Sequence, residues 1–495
     1  MTDRLTALDS SFLHLEDATS HMHVASVTIF EGPPPSHREL VDHIQSRLTH
    51  VPRFRQKLRL VPLGQGRPVW VDDPHFNVEY HVRTTALPPP GSDEQLKLLA
   101  GRVFSQQLDR SKPLWEVWLV QGLDRGGDSP AEAGRFALLS KTHHALVDGV
   151  AGVDLTAVLF DAAREPDTPP APGPAWVPRP EPTSTQLLGE ALLERATSPA
   201  EIVRSARAAL RAPRMIAKGA LDALSAIGSL ARTGLQAPPS PLNVEIGPHR
   251  RFDWVRADLD LFKRIKYELG GTVNDVVLAV VTGGLRRFLE ERGEEVNSLE
   301  LRAMVPVSVR QKDELGGNRV AAMMAPLPVY EPDPVQRLRL VRESMSGLKD
   351  SKQAVGAQIL TELGGFAPPT VLAQAGRLQA RQRFFNLVVT NVPGPQIELF
   401  VLGRRLIDLF PLAPLAKRQA LCVAVMSYHG RMNFGLLADF DAMPDLDSLV
   451  RGLEESLDEL REAAGIEPPA PPPAPEKPPA RERETAAKAN GSGAS

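Results

Sequence analysis

Two adjacent histidines followed by a carboxylate are the residues of this 495-residue chain best suited to chemistry. Residues 136–151 read FALLSKTHHALVDGVA, so an apolar run leads into His143 and His144, with Asp148 and Gly149 just beyond. A neutral imidazole can take the proton of an alcohol, otherwise a poor nucleophile, while the oxygen attacks an acyl carbon. The carboxylate can orient such a base, and glycine allows close backbone approach. The pattern therefore favours acyl transfer to an alcohol without a covalent enzyme intermediate.

The same histidines could instead cap a strand or bind a metal ion. Zinc would need a third ligand nearby, and the local carboxylates Asp148 and Asp154 do not form an HExxH arrangement. The single cysteine, Cys422, excludes an intrachain disulfide and a cysteine-based zinc or iron–sulfur site. The sequence therefore predicts a reaction without a metal or another cofactor. Cys422 lies in an apolar segment and is predicted to be buried in the core.

The elements that must hold the histidines are predicted to be mixed strands and helices, which indicates an α/β or α+β fold. In the first third of the chain, β-branched and alternating segments predict strands at 23–30, 115–121 and 136–142, helices at 36–48 and 93–107, and extended chain at 71–83. Later segments predict strands at 252–255, 301–307, 385–390 and 421–429, and a long helix from 273 to about 293. Two α/β halves of similar size fit this order.

Proline marks the predicted boundaries between domains. The chain has 46 prolines, many of them in residues 165–182 and 468–479, and such tracts cannot continue a helix or a central strand. We predict an N-terminal domain at 1–164, a proline-rich and helical connecting region at 165–245, a C-terminal domain at 246–466 and a disordered tail at 467–495.

Composition excludes several classes of protein. The 57 basic and 60 acidic residues give a net charge of −3, so there is no overall basic field for nucleic acid. No segment reaches the ~18 uninterrupted apolar residues of a membrane-spanning helix, and the first residues lack the apolar stretch of a secretory signal. Walker A, GxSxG and Rossmann glycine patterns are also absent from the sequence. A cytoplasmic protein in a reducing compartment is the expected class.

Several motifs together resemble the bacterial wax ester synthase/acyl-CoA:diacylglycerol acyltransferase family, within the CoA-dependent acyltransferase superfamily marked by HHxxxDG. In this chain HHxxxDG is His143–Gly149. The other motifs are Leu8-Asp9, Met22–Val24, Leu108–Arg110, Pro113–Glu116 (PLWE), Gly247–Arg251, Thr272–Val276, Val305–Arg310 and Asn391–Pro395. Condensation domains of peptide synthetases share HHxxxDG, but PLWE and Asn274-Asp275-Val276 in this order are more specific. The resemblance spans nearly the whole folded chain.

The resemblance implies two chloramphenicol-acetyltransferase-like domains with an active-site tunnel between them. Acyl-CoA and the acceptor alcohol would approach the catalytic histidine from opposite sides. By this analogy His144 is the general base, and His143 supports the base or the pocket wall. Asp148 would be structural and turned towards an arginine, for which Arg310 is the candidate. Gly149 would leave room for the CoA arm.

Further site candidates follow from the other motifs. Asn274 and Asp275 are predicted to open a helix, where side chains can cap free backbone N–H groups. Alternatively, Asn274 contributes to catalysis by holding the oxyanion or orienting the histidine across the domain interface, since a developing negative oxygen needs fixed donors. Asp275 is a candidate for substrate binding, together with Gly149 and Arg310.

Four further features of the sequence concern the structure, the function or both. Glu16 could line the acceptor channel, but an exposed loop position is favoured. Residues 113–115 are predicted to pack in the core, and residues 391–395 to form a turn near the tunnel. Five basic residues of the connecting region recur at helical spacing: Arg204, Arg207, Arg211, Arg214 and Lys218. A helix with this face could lie in an anionic lipid interface or be solvated while packed on a domain.

The predicted function is transfer of a long-chain fatty acyl group from acyl-CoA, as co-substrate, to diacylglycerol or a fatty alcohol, with peripheral association at the inner membrane face or lipid droplets. One alternative is a condensation-type acyltransferase with a carrier-bound donor, although residues 315–317 and 363–365 lack the serine of an LGGxS carrier segment. The other is a lipid-binding protein without turnover, against which the intact His144, Asp148 and Gly149 argue.

Overall fold

The computed structural model describes seven stretches of the chain, and the structural statements below concern these residues. They are residues 3–124, 134–147, 159–165, 176–193, 237–308, 320–350 and 384–468. The strands form two six-stranded sheets and one three-stranded sheet, with helices packed against them. The mixed α/β class predicted from the sequence is confirmed. Among these residues, none of the helices is both long enough and apolar enough to span a membrane.

The described part of the N-terminal half contains seven strands and five α-helices. In chain order these are β1 (Asp3–Arg4), α1 (Ala7–Leu15), β2 (His23–Phe30), α2 (His37–Arg47), β3 (Gln56–Arg59), β4 (Val69–Asp72), α3 (Val78–His81), β5 (Val82–Ala86), α4 (Asp93–Phe104), β6 (Trp115–Leu123), β7 (Arg135–His143) and α5 (His144–Val147). Residues 184–193 of the connecting region are also helical.

The described part of the C-terminal half contains eight strands and four helices. In chain order these are β8 (Arg250–Asp258), α6 (Leu259–Leu269), α7 (Val273–Glu291), β9 (Glu300–Ser308), β10 (Val320–Pro328), α8 (Pro334–Asp350), β11 (Leu387–Pro393), β12 (Phe400–Val401), β13 (Arg404–Leu412), β14 (Leu421–Tyr428), β15 (Arg431–Asp439) and α9 (Leu446–Ala463).

The sheet that carries the two histidines has the strand order β12-β13-β2-β7-β6-β5. β7 is antiparallel to both of its neighbours, β2 and β6, and every residue from Phe136 to His143 is buried. Such a strand reads as a nearly continuous apolar run because both of its faces are covered. The apolar segment before His143 is therefore the central strand that delivers the histidines to the end of the sheet.

Two strands of this sheet come from the C-terminal part of the chain. β13 pairs antiparallel with β2, and β12 pairs with β13. Residues 400–412 fall inside the C-terminal domain predicted at 246–466, but their strands complete the N-terminal sheet. A division of the chain into consecutive blocks cannot represent this crossing, because a strand's pattern does not identify its hydrogen-bonding partner.

The second sheet has the order β10-β9-β11-β14-β15-β8, and α7 packs beside it. α7 is buried over most of its length, which agrees with its apolar residues on all sides. Gly284 lets α9 approach closely, since a Cβ there would lie 2.7 Å from the Cδ2 atom and 3.0 Å from the backbone nitrogen of Leu453. The long helix predicted from residue 273 is confirmed, and it ends at Glu291.

One predicted element of the N-terminal half is partly wrong. Residues 71–83 were expected to be extended, but the strand β4 ends at Asp72 and the short helix α3 begins at Val78. The side chain of Asn77 accepts a hydrogen bond from the Glu79 N–H at 2.9 Å, which caps this turn of helix. The other strands and helices predicted in the N-terminal half are confirmed, with small differences at their ends.

The two halves are held together by more than the crossing strand, because α4 packs against β8. Lys97 binds Asp253 at 2.7 Å, and Arg256 binds Asp93 at 3.0 Å. A Cβ at Gly101 would lie 2.8 Å from the Arg250 carbonyl oxygen, so glycine allows the backbones of α4 and β8 to meet. The halves therefore share a tight interface directly beside the sheet that ends in the histidines.

Candidate active site

His143 is the last residue of β7, and its side chain is only 1% exposed. Its backbone N–H donates to the carbonyl oxygen of Leu114 at 3.0 Å. The ring nitrogen Nδ1 accepts a hydrogen bond from the Ala145 N–H at 3.1 Å. This hydrogen bond assigns the proton of neutral His143 to Nε2. His143 is thus fixed by its strand and by the first turn of α5.

Glu16 faces His143 from the end of α1. Its Oε2 atom lies 3.5 Å from Nε2 of His143 and accepts a hydrogen bond from Nε of Arg110 at 2.7 Å, while Nη2 of Arg110 donates to the carbonyl oxygen of Leu13. Burial raises the pKa of Glu16, but His143 and Arg110 outweigh burial, so its pKa is lowered. The Glu16 side chain is 3% exposed, and the prediction of an exposed loop glutamate is therefore wrong.

His144 begins α5, and its backbone N–H donates to the carbonyl oxygen of Met22 at 2.8 Å. Its ring stacks on Phe12 with a centroid separation of 4.0 Å. Burial lowers the pKa of His144 to about 4; a positive charge on His143 acts in the same direction, and Asp9 acts against it. The imidazole is therefore neutral at pH 7 and able to accept a proton.

Helix α1 supplies the ring beneath His144, and Asp9 fixes the start of this helix. Thr6 is the N-cap: its hydroxyl oxygen accepts the Asp9 N–H at 3.1 Å and donates its own proton to Asp9 Oδ2 at 2.7 Å. Asp9 belongs to the Leu8-Asp9 motif, which thereby acquires a local structural role. Phe12 was not predicted as a site residue, because nothing in its spacing distinguishes it from a core aromatic.

Two more buried histidines lie beside the pair. His23 is opposite His143 in the antiparallel register of β2 and β7, and its ring lies 5.9 Å from that of His21. Burial lowers the pKa of His23 well below its ordinary value, and burial is also the main cause of the lowered pKa of His21. The described residues contain no group of three or more His, Cys, Asp or Glu side chains placed to hold a metal ion.

The PLWE motif builds the wall behind β7. Trp115 is fully buried, and its Nε1 donates to the Phe54 carbonyl oxygen at 2.8 Å. Glu116 lies 3.4 Å from the ammonium of Lys141, which is fully buried and donates to the Val103 carbonyl oxygen at 3.1 Å. The prediction that residues 113–115 pack in the core is confirmed. Lys141 therefore ties the end of α4 to the strand that ends in His143.

Asn274 and Asp275 lie in the first turn of α7, as predicted. Thr272 is the N-cap: its hydroxyl accepts the Asp275 N–H at 3.2 Å, and its own N–H donates to Asp275 Oδ2 at 2.8 Å. The carbonyl of the Asn274 side chain accepts a hydrogen bond from Nδ2 of Asn391 at 3.3 Å. These contacts give Asp275 a capping role and connect Asn274 with β11. They do not test the predicted roles in substrate binding and catalysis.

The remaining predicted residues have different outcomes. Asp148, Gly149 and Arg310 lie outside the described residues, as does the basic segment 204–218, so their roles stay predictions. Residues 391–393 belong to β11, and the prediction of a turn is wrong for them because this strand pairs with β14 as far as Pro393. Cys422 is buried in the core, which confirms its predicted place.

Both halves of the chain match models of one protein family. Residues 5–277 match the wax ester synthase/diacylglycerol acyltransferase catalytic domain, and residues 316–461 match the C-terminal domain of the same family. A Mycobacterium tuberculosis protein named "probable diacylglycerol O-acyltransferase" is 34% identical over 464 residues, which cover 92% of this chain and 96% of that protein. A second protein from this organism with the same description is 34% identical over 477 residues, 94% of this chain and 100% of the relative.

Solved structures show the same relationship. The wax ester synthase/diacylglycerol acyltransferase from Marinobacter aquaeolei VT8 is 28% identical, with a TM-score of 0.63 over 94% of this chain and 100% of that one. The first condensation domain of the calcium-dependent antibiotic synthetase has a TM-score of 0.56 over 94% of this chain and 96% of its own, at 16% identity, and shows likeness in fold alone. The family matches in both halves and the relatives of nearly full length place this chain in the wax ester synthase/diacylglycerol acyltransferase family.

Proposed function

We propose that this protein transfers a long-chain acyl group from acyl-CoA to the hydroxyl group of diacylglycerol or of a long-chain fatty alcohol. The products are triacylglycerol or a wax ester, and free CoA. Support comes from the relatives named as diacylglycerol O-acyltransferases and from the Marinobacter structure named for both activities. The observation that carries the proposal is the neutral, half-buried imidazole of His144, directly after the central strand.

In the proposed reaction His144 acts as the general base. Its imidazole accepts the hydroxyl proton while the alcohol oxygen bonds to the thioester carbonyl carbon. The carbon–sulfur bond then breaks, and the CoA thiolate takes the proton back from the imidazolium. The reaction is balanced by the two substrates, since the imidazole ends in its starting state. Acyl-CoA is a co-substrate in this scheme, and no other cofactor is invoked.

The residues around His144 are proposed to hold it and to stabilise the oxyanion. His143, whose Nε2 lies 3.5 Å from Oε2 of Glu16, fixes the first turn of α5 through the Ala145 N–H. Asn274 uses its side-chain carbonyl towards Asn391, so its amide N–H groups are the ones it could offer to a developing oxyanion. For Asp148, Gly149 and Arg310 we retain the structural and CoA-binding roles that the family resemblance implies.

We further propose that the protein works in peripheral contact with a membrane or a lipid droplet. Both proposed acceptors and both products are poorly soluble in water, so they have to be exchanged with a lipid phase. The five basic residues between Arg204 and Lys218 recur at helical spacing, and this pattern is typical of segments that bind anionic lipid.

The test is the release of free CoA from palmitoyl-CoA by the purified protein, with hexadecanol, with a diacylglycerol and with neither, and with identification of the lipid product. We expect acceptor-dependent release that falls by about 10² to 10⁴ in His144→Ala, because a general base contributes about that factor. The matched control is His75→Ala, since His75 is exposed. Absence of release by the folded native protein with both acceptors would contradict the proposal and favour a carrier-bound donor or a lipid-binding role.

A further inference from the structure

We propose that Arg250 is a positioning residue, which ties the C-terminal half to residues 17–21 and thereby fixes the place of His143 and His144. Arg250 is the first residue of β8 and belongs to the GPHRR motif, residues 247–251. The effect on the reaction rate that we expect from this role rests on the proposed acyl transfer. The geometry itself does not depend on the reaction.

The guanidinium of Arg250 is almost completely buried, with 2% of its side chain exposed. Its Nη1 donates to the carbonyl oxygens of Gly247 at 2.7 Å and His249 at 2.9 Å. Its Nη2 donates to the carbonyl oxygen of Thr19, which belongs to the N-terminal half. The planar fork of arginine can bind carbonyls in two directions at once, which a lysine cannot do with the same geometry. One side chain therefore connects both halves.

The guanidinium of Arg250 does not form a close ion pair with a carboxylate of the described residues. Asp439 is the nearest acidic partner, at 3.8 Å, and its Oδ2 already accepts the Gly247 N–H at 2.7 Å. Burial lowers the pKa of Arg250, with Asp439 acting against this effect. A buried cation is costly unless polar groups surround it. The three carbonyl oxygens therefore stabilise the buried guanidinium, and among them the Thr19 carbonyl belongs to the N-terminal half.

Residues 17–21 have other anchors in the C-terminal half. The carboxylate of Asp17 binds Lys417 at 2.5 Å, and its Oδ1 accepts the backbone N–H groups of Thr19 and Ser20, both at 2.9 Å. The hydroxyl of Ser20 donates to the carbonyl oxygen of Leu415 at 2.9 Å. Arg250 thus completes a set of contacts that fastens this loop to the other half.

The loop is directly continuous with the contacts of the histidines. Glu16, just before it, faces Nε2 of His143 at 3.5 Å. Met22, just after it, accepts the His144 N–H at 2.8 Å. A displacement of Thr19 therefore reaches both histidines within three residues along the backbone. The same displacement also reaches His143 through the pairing of β2 with β7, because His23 lies opposite His143.

The geometry predicts a change in the titration of His144. Burial keeps the pKa of its imidazole near 4, with His143 and Asp9 as the charged or titratable groups that act on it and Phe12 stacked on its ring. A loop released from Arg250 would expose more of the half-buried His144 to water, and the pKa of His144 would rise towards the ordinary value of about 6.5. A residue that only contributed to global stability would not move this titration in a folded protein.

The experiment compares Arg250→Gln and Arg250→Lys with the neighbouring Arg251→Gln. Arg251 is the matched control because its guanidinium donates to the Phe440 carbonyl oxygen at 2.9 Å and lies over the Phe440 ring, within the C-terminal half. The pKa of His144 is measured by NMR of protein with ¹³C-labelled histidine, with His144→Gln for assignment. The pH dependence of kcat/KM is measured between pH 4.5 and 9 with palmitoyl-CoA and the better acceptor.

We expect both Arg250 variants to raise the pKa of His144 by at least about one unit and to lower kcat/KM at pH 7 by about ten-fold, the factor for a lost hydrogen bond to a charged group. Arg251→Gln should leave both unchanged. An unchanged pKa of His144 in folded Arg250→Gln would overturn the proposal. A native pKa of His144 and a native kcat/KM in Arg250→Lys would also overturn it, because a positive charge alone would then be sufficient at this position. If Arg250→Gln does not fold, the lysine variant decides. The NMR titration needs no turnover, so failure of the proposed function would appear separately, as absent CoA release by the native protein.

Discussion

Lowering the pH from 7 to 5.5 is expected to destabilise the N-terminal half, because burial, partial for His144, lowers the pKa of five of its histidines. Burial lowers the pKa of each of them: His21, His23, His43, His81 and His144. For His81 and His144 the pKa is lowered to about 4. In the unfolded chain a histidine titrates near 6.5. Above pH 6.5 these histidines are neutral in both states and do not reduce the free energy of unfolding. As the pH falls from 6.5 towards the folded-state pKa, the unfolded chain binds protons that the folded protein does not, so the free energy of unfolding decreases.

The magnitude follows from proton linkage. Between pH 7 and 5.5 an unfolded histidine gains most of a proton that the folded residue does not take up, which favours unfolding by about 1.2 kcal/mol per residue. His81 and His144 alone contribute about 2.5 kcal/mol, and all five at most about 6 kcal/mol. Domains typically have about 5 to 15 kcal/mol of stability, so the loss is large. Asp17 and Asp72 do not contribute in this window: against the effect of burial, hydrogen bonds and ion pairs lower the pKa of each to about 2.

The assay is urea unfolding at four pH values between 7 and 5.5, followed by tryptophan fluorescence. Trp115 is a suitable reporter, since its ring stacks on His81 with a centroid separation of 4.6 Å. His81→Gln should remove about 1.2 kcal/mol of the pH dependence. His75→Gln is the control, because His75 is exposed and should leave the dependence unchanged. An unfolding midpoint that stays constant from pH 7 to 5.5, or an unaltered dependence in His81→Gln, would refute the reasoning.

Two further predictions concern the site and the helix packing. Glu16→Gln removes the negative charge facing His143 and should lower kcat by about 10- to 100-fold, whereas the exposed Glu79→Gln should not; equal rates in steady-state assays would count against the role of Glu16. Gly284→Ala places a Cβ 2.7 Å from Leu453 and should destabilise the protein by about 1 to 3 kcal/mol. Gly347→Ala in α8, which meets open space, should instead stabilise it by about 0.5 to 1 kcal/mol. Thermal unfolding that ranks the two alanine variants in the reverse order would contradict the packing argument.

Much of the fold could be predicted where one segment carries its own signal. The apolar run that becomes β7 and the β-branched run that becomes β2 were placed to within a residue at each end. The start of α7 was also predicted, because Asn274 and Asp275 are typical of a first helical turn. The pairing of β13 with β2 was not predicted, since the sequence of residues 404–412 indicates a strand at best and not its neighbour.

The site divides in the same way. The place of His143 and His144 directly at the end of a buried strand could be predicted, because an apolar run leads into them. The burial of Glu16 could not, because the guanidinium that makes it tolerable belongs to Arg110, far away in the sequence. Arg110 belongs to the Leu108–Arg110 motif, but the sequence of a motif does not show which residue its arginine contacts. Phe12 gave no signal at all, since stacking on His144 depends on how α1 and α5 meet.

The crossing of β13 into the N-terminal sheet sets an order of events during synthesis. Until residues 404–412 leave the ribosome, β2 can pair with β7 on one side, but its other edge has no partner strand. Chains grow at about 5 to 20 residues per second, so the roughly 270 residues between the ends of β7 and β13 take about 15 to 50 seconds. Exposed edges of this kind are prone to pair with other chains. A fragment that stops at residue 164 should therefore aggregate, and its sheet should be rescued by the C-terminal fragment supplied in trans.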